Sequence, residues 1–408
     1  MPKKNPADVE VERCFEIQKN AAKKSRVADI ALLVMLAAVI AVFGIMIYVL
    51  PHSSFSEDEN RGLTLFPEFS LKSLVDGSYT SDIGKFYSDQ FPARRFFVEL
   101  KAAAELAQLK MQNNSVIPGK NGTLIKRQEY TDYSYAHKNM KAIEKFRGVL
   151  EQDGIPVFTV IAPRSIDVLA HTIHPLYGSD RSDGIWQVFS EYDEEATALR
   201  DMLKAQAEDG NYVWYRTDHH WTTQGAYLVY AALGERLGYT PYPESFFSVE
   251  QVSDSFYGTT YSSSGLYSTA PDEMYYYRYD GDQSYVVENV LTGDKIDGFY
   301  DTALLETKDK YSSFIGGNNA HVRVYDTAAK GTKPTLILVK DSFAHSVVPF
   351  LALHFDLEII DLRSYVGSVA NLARDNNAAG VLILYGADNL AISDTLTLLG
   401  YGLNKKAE

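Results

Sequence analysis

Thr335-Leu336-Ile337-Leu338-Val339-Lys340-Asp341-Ser342-Phe343 passes within nine residues from an almost wholly apolar run to a charged, hydroxyl-bearing turn. The apolar half reads as a strand buried on both faces, and the polar half as the step from that strand into a helix. Strands of the same kind recur at Pro156–Ile161, Tyr212–Tyr215, Leu357–Ile360 and Val381–Tyr385. Helices are expected between them, at about 192–208, 223–237, 343–354, 366–375 and 389–399. Ahead of the first strand, His137–Gln152 carries Met140, Ile143, Phe146 and Leu150 at helical spacing. Buried strands alternating with helices indicate an α/β domain, a mainly parallel sheet with helices on both faces. Residues 251–330 break the alternation. They are rich in Tyr, Ser, Gly and Asp, with eight tyrosines from Tyr257 to Tyr285, and read as an insertion of loops and irregular strands.

The N-terminal end obeys different physics. Ile30–Leu50 is an apolar run of 21 residues without a charge, about the length a helix needs to cross roughly 30 Å of hydrocarbon. Lys3, Lys4, Arg13, Lys19, Lys23, Lys24 and Arg26 precede it, and Glu57, Asp58 and Glu59 follow it. That bias keeps the N-terminus in the cytoplasm. The run ends Tyr48-Val49-Leu50-Pro51, without the small residues of a signal-peptide cleavage site. The expected organisation is a cytoplasmic tail (1–26), a transmembrane anchor (27–50), a stalk with lead-in helices (51–115) and a catalytic domain (116–408) lying outside the cytoplasm. Residues 51–408 hold 32 of the 39 basic and 48 of the 53 acidic residues, a formal charge of −16. An acidic balance of that size argues against a nucleic-acid partner. The one cysteine, Cys14, lies ahead of the apolar run, so the external part has no disulfide and must rest on its core. A cysteine-free exported domain points to a bacterial cell surface.

Two clusters could carry chemistry. Arg216-Thr217-Asp218-His219-His220-Trp221-Thr222 lies between the Tyr212–Tyr215 run and the helix beginning near Thr223. In an extended segment Asp218 and His220 share a side while His219 points elsewhere. A carboxylate beside an imidazole fixes its tautomer and stabilises its cation, as a general base requires. Metal ligation, with His171 and His174 as further candidates, and simple helix capping remain open for the same residues. The second cluster is Lys340-Asp341-Ser342-Phe343, at the carboxyl end of a strand, where sheets of this kind place their sites. Ser342 near a helix N-terminus would meet N–H groups that favour an oxyanion, although Asp-Ser is also ordinary capping. Taken together they supply a nucleophile, a base and an orienting carboxylate. Arg164 and Arg363 follow other strand ends and could hold an acyl oxygen or a sugar hydroxyl; surface pairing is the plainer account. Tyr257 and Tyr261 could stack on sugar rings or simply pack. His345, one helical turn from Ser342, has nothing near it in sequence to orient it and reads as an ordinary helix residue.

The TDHHWT string at 217–222 and KDSF at 340–343 resemble the DHHW family, related to the alginate O-acetyltransferases, whose fold is a rearranged SGNH hydrolase. SEDENRGLTLFPEFS at 56–70, YSDQFPARR at 87–95 and GKNGTLI at 119–125 extend the resemblance over nearly the whole external part. It implies an SGNH-like domain with a Ser342–His220–Asp218 triad, permuted because Asp-x-His precedes the serine. Lys340 departs from the common Gly-Asp-Ser block, which leaves the oxyanion hole open. The implied activity is O-acetyl transfer to a cell-surface or secreted polysaccharide through an acetyl-serine. No metal or cofactor is implied, and a membrane-bound O-acyltransferase is the implied acetyl donor partner. A carbohydrate acetylesterase and a non-catalytic glycan-binding scaffold of an export complex are the alternatives.

The apolar run predicts that the chain stays with membranes through alkaline washing and that protease added to wall-stripped cells removes its C-terminal part. Full-length protein found solely in the culture medium would contradict the anchor.

Overall fold

The computed structural model describes residues 6–175 and 184–403; the first five residues of the expected cytoplasmic tail lie outside them. The chain divides into two compact units, Met1–Glu57 with Arg61–Val98, and Asp58–Asn60 with Glu99–Glu408. The first unit contains the helix Pro6–Val49. Its Arg26–Val49 portion is, among the described residues, the one helix long and apolar enough to cross a membrane. The same unit joins two of the motifs. Asp89 accepts hydrogen bonds from Arg61 Nη2 (2.7 Å) and the Thr64 N–H (2.9 Å), and Gln90 Nε2 donates to the Thr64 carbonyl (3.0 Å).

The second unit is built on a seven-stranded sheet. In chain order its strands are β1 (Val157–Ala162), β2 (Tyr285–Asn289), β3 (Lys295–Asp297), β4 (His321–Asp326), β5 (Thr335–Lys340), β6 (Asp356–Ile360) and β7 (Gly380–Gly386). Their order across the sheet is β1-β7-β5-β6-β4-β2-β3. The four strands from β1 to β6 are parallel, whereas β4, β2 and β3 continue the sheet antiparallel. The expected mainly parallel sheet is therefore a mixed one. The difference comes from residues 251–330, which supply three sheet strands in addition to a separate ribbon of Ser248–Phe256 with Asp272–Arg278. Their alternation is obscured in sequence by tyrosines, which are apolar enough to be buried and polar enough to read as loop.

Along β5, Leu336 and Leu338 face one layer and Ile337 and Val339 the other, as strand geometry requires. On one side lie Ser134–Leu150 and Val369–Asp375; on the other lie Ala198–Glu208, Thr223–Leu237 and a large aromatic cluster. Helices thus cover both faces. The helix expected over 389–399 is a short one at Ala387–Ile392 followed by a 3₁₀ turn at Thr395–Gly400, and two further expectations change. Tyr212–Tyr215 is no strand of the sheet: it makes a single antiparallel bridge, Trp214 to Trp221, and a buried four-residue run cannot be told from a core loop by its pattern. The helix expected over 343–354 is a 3₁₀ turn at Ser342–Ala344 followed by Val348–Leu351. Pro349 sits at the start of the second piece, where its missing N–H costs nothing.

Candidate active site

Ser342 stands just past the carboxyl end of β5, the central parallel strand. Asp341 fixes the turn that carries it. Its carboxylate accepts from the Phe343 N–H (3.1 Å), the Gly386 N–H (2.7 Å) and Asn389 Nδ2 (2.7 Å), tying the ends of β5 and β7 together. Ser342 itself is half-buried. The turn is too short to contribute a helix dipole of any size, so that part of the oxyanion expectation is not met.

The Asp-His segment comes from a tight hairpin. The Thr222 N–H donates to the Val213 carbonyl (3.0 Å) and the Tyr215 N–H to the His220 carbonyl (3.3 Å). The helix Thr223–Leu237 then departs with Thr222 as its cap. A Cβ at Gly225 would fall 2.2 Å from the Val213 carbonyl oxygen, so this close approach needs glycine. Within the bend, Asp218 Oδ1 accepts from both the backbone N–H (3.0 Å) and ring Nδ1 (2.5 Å) of His220. With Nδ1 donating, Nε2 is the acceptor, and it lies 2.7 Å from Ser342 Oγ. Asp218, His220 and Ser342 are thus one hydrogen-bonded chain. Burial pushes the Asp218 carboxyl up, but the two histidines and the Thr259 N–H outweigh it and hold the group far below the usual carboxylate range. It stays ionised and can stabilise an imidazolium. His219 does not point clear of the pair: its ring lies 3.8 Å from that of His220, and its Nδ1 meets Thr259 Oγ1 at 2.6 Å. The bend, rather than an extended strand, accounts for this.

Several contributors come from the Tyr-rich insertion and were not singled out in the sequence. The Thr259 N–H (2.7 Å) and Oγ1 (3.1 Å) occupy Asp218 Oδ2. Gly258 packs so close that a Cβ there would sit 2.2 Å from Asp218 Cβ. Asp272, fully buried, accepts from the Thr217 N–H (2.7 Å), Thr217 Oγ1 (2.5 Å) and the Arg216 N–H (3.0 Å), holding the root of the bend. Tyr311 lies parallel to the His220 ring at 4.0 Å and donates to the Ser342 carbonyl (3.2 Å). Nothing in the sequence near these residues points to the site; an Asp or a Gly in a loop gives no such signal.

The model of the DHHW protein family matches residues 130–360, a stretch that includes both the 217–222 and 340–343 motifs. The chain belongs to the DHHW family. Among curated proteins, the "Probable alginate O-acetylase AlgJ" of Pseudomonas putida is 24% identical over 181 residues, 43% of this chain and 47% of that one. That of Azotobacter vinelandii is 23% identical over 176 residues, 41% and 45% of the two chains. The chain spans about half the length of the curated relatives it matches. Two solved structures share the fold. A DHHW family protein from Eubacterium siraeum superposes with TM-score 0.56 at 20% identity, covering 71% of this chain and 96% of that one. PatB1 of Bacillus cereus, solved with a sulfonyl adduct, gives 0.57 at 19% identity, covering 70% and 97%.

The fourth residue of the family's namesake string, Trp221, is fully buried, and its Nε1 donates to Ser346 Oγ (3.1 Å) while its ring packs on Phe343 at 5.0 Å. It couples the hairpin to the serine's turn. Lys340, the departure from Gly-Asp-Ser, is also fully buried. Its Nζ lies 2.7 Å from His345 Nε2, 3.3 Å from Asn318 Oδ1 and 3.5 Å from Asp361 Oδ2. His345 is thus oriented after all, from the other side of Ser342. Arg363 pairs with Asp361 (Nε to Oδ1, 2.8 Å) and remains about half exposed. Arg164 is buried and pairs with Asp167 (2.7 Å). It helps line a cavity of about 230 Å³ together with His219, Thr259, Phe343 and Asn389. Tyr261 is buried beside Tyr257 (4.4 Å) and Tyr267, with Lys308 over its ring, so of the two tyrosines Tyr257 keeps the more open face. Among the described residues, the group able to share a metal is Asp218, His219 and His220, with ligand atoms within 4.8 Å; His171 and His174 are not part of it.

Gly258→Ala is expected to push the Asp218 carboxylate off His220 and to cost about 1–3 kcal/mol in a denaturant melt. Unchanged stability with an unchanged His220 ring proton spectrum would show that the contact yields. Lys340 gives a pH signature. Burial, opposed by Asp361, pushes its ammonium down to about 8. Above that pH the unfolded chain holds the proton and the folded one does not, so stability from this group rises with pH until the unfolded lysine also titrates, near 10.4. Lys340→Met lacks that rise. Its stability relative to the natural chain should fall by on the order of 3 kcal/mol between pH 8 and 10.5, and a flat difference would contradict the assignment.

Proposed function

We propose that the chain is a serine-dependent O-acetyltransferase of the SGNH type, acting outside the cytoplasm on a cell-surface or secreted polysaccharide. The observation that carries the reading is the linked geometry of Ser342 Oγ, 2.7 Å from His220 Nε2, with His220 Nδ1 2.5 Å from Asp218. His220 Nε2 takes the hydroxyl proton as Ser342 Oγ attacks the donor carbonyl, and Asp218 stabilises the resulting imidazolium. The proton passes to the departing group, leaving acetyl-Ser342. A sugar hydroxyl then gives its proton to His220 and takes the acetyl group, which restores Ser342 Oγ–H.

The names of the AlgJ relatives support the substrate class, polysaccharide O-acetylation, and the apolar Arg26–Val49 helix supports a membrane location. Acetyl-CoA is cytoplasmic, so a membrane-bound O-acyltransferase is the partner that hands the acetyl group outward. Arg363, at the adjoining strand end, and the half-open Tyr257 are the candidate substrate contacts. Acid–base work is favoured over metal binding because His220 uses both ring nitrogens and Asp218 both oxygens in hydrogen bonds within the protein.

Incubation with an activated acetyl ester should add one acetyl group at Ser342, read by mass spectrometry. Ser342→Ala and His220→Ala should each lower ester turnover by roughly 10⁴-fold, and the double variant little further. Chelators should leave turnover unchanged. Normal polysaccharide acetylation in cells carrying Ser342→Ala would overturn the reading in favour of a scaffold. Free acetate with no acetylated sugar in excess oligosaccharide would assign an esterase instead.

A further inference from the structure

A second cavity, of about 450 Å³, opens between the stems of the Asp-His hairpin and the ribbon Ser248–Phe256/Asp272–Arg278. Its volume is that of small-ligand sites. Tyr212, Tyr215, Arg216, Thr223, Gln224 and Tyr275 are among its walls, whereas Asp218, His220 and Ser342 are not. The cavity is therefore separate from the site described above.

Its chemistry is that of a sugar site. Amphipathic rings offer faces to the C–H side of a pyranose and hydroxyls to its edge. Tyr212 and Tyr275 are half-buried in its wall with their hydroxyls donating to Asp272 and Glu273, and Gln224 adds a half-buried amide. The charge is also informative. Arg216 is already paired with Asp272 (Nε to Oδ1, 3.2 Å), and Glu273, which accepts from the Tyr275 hydroxyl, is exposed at the rim, so the charge the cavity presents is that of a carboxylate. A uronic acid would enter against that charge, and an uncharged sugar would not.

We propose that this cavity is a second binding site, for an uncharged oligosaccharide segment. It lies on the residues that flank Asp218–His220 on both sides, so a chain held there keeps its neighbouring sugars at high local concentration without taking part in chemistry. The proposal does not rest on the acetyl-transfer reading, because its test measures binding alone.

The experiment is calorimetric titration of the full chain in detergent with cellotetraose and with tetragalacturonate. Saturable binding of cellotetraose is expected, equal in Ser342→Ala and at least about tenfold tighter than for the acidic tetramer. Tyr275→Ala and Gln224→Ala should each weaken it by about tenfold, while Tyr275→Phe, which keeps the ring, should bind within about threefold of the natural chain. Unaltered melting temperatures would show that the variants are folded. Absence of saturable binding, equal affinity for both tetramers, or indifference to Tyr275→Ala and Gln224→Ala would overturn the proposal.

Discussion

A buried carboxylate persists as an anion where hydrogen bonds replace the water it has lost, and Asp218 is such a case. One oxygen accepts from His220 twice, through the backbone and the ring; the other accepts from Thr259 twice. The first pair fixes the tautomer of His220, which leaves Nε2 free to accept from Ser342. The second pair comes from a segment about forty residues further along the chain, brought against Asp218 by a glycine with no room for a side chain. Without that second pair the carboxylate would face a desolvation cost of several kcal/mol, and the neutral acid would compete with the anion. The orientation of one imidazole therefore depends on how the insertion is folded.

The insertion is accordingly part of the domain's logic rather than an ornament on it. Half of the sheet's strand pairings involve its strands, its Asp272 closes the root of the Asp-His bend, and its Tyr311 covers the outer face of His220. Stacking at 4.0 Å keeps water from that face, and the ring nitrogens, which lie in its plane, meet Asp218 and Ser342 at its edge. On the other side of the chain, Trp221 and Lys340 tie the hairpin and the serine's turn to the same buried layer. Rigidity of this kind suits a site whose parts come from distant strands, since a displacement of an ångström is enough to lose alignment.

What could be read in the sequence follows from which interactions are local. The strands at 157–162, 335–340, 356–360 and 380–386 were legible because burial on both faces demands an apolar run. Asp218, His220 and Ser342 were legible as candidates because a carboxylate two residues from an imidazole, and a serine at a strand end, are local patterns; the resemblance to the DHHW family is what joined them into a triad. Gly258, Thr259, Asp272 and Tyr311 were not, because each acts on the site across a long loop and has an ordinary residue type for its position. Tyr212–Tyr215 was misread for a related reason: a short aromatic run reports burial but not the partner that buries it. Lys340 and His345 show the same limit. Each looks unpaired from its sequence neighbours, and each finds the other across the turn that carries Ser342.

The chain Asp218–His220–Ser342 does not by itself distinguish transfer from hydrolysis, since water and a sugar hydroxyl deprotonate on the same nitrogen. On the proposed reading, what distinguishes them is the concentration of acceptor at the acetylated serine. Bulk water stands at about 55 M, so an acceptor hydroxyl must be held in place to compete, and well-oriented groups reach effective molarities far above that. On that reading, the residues that decide the outcome are those that would hold the polymer, not those that would move the proton. In this chain they have to be sought in the walls around the strand ends and in the tyrosine-rich insertion. On the proposed reading, a membrane-spanning Arg26–Val49 helix would add to the same effect by confining the protein to the surface at which the acetyl group and the polymer meet.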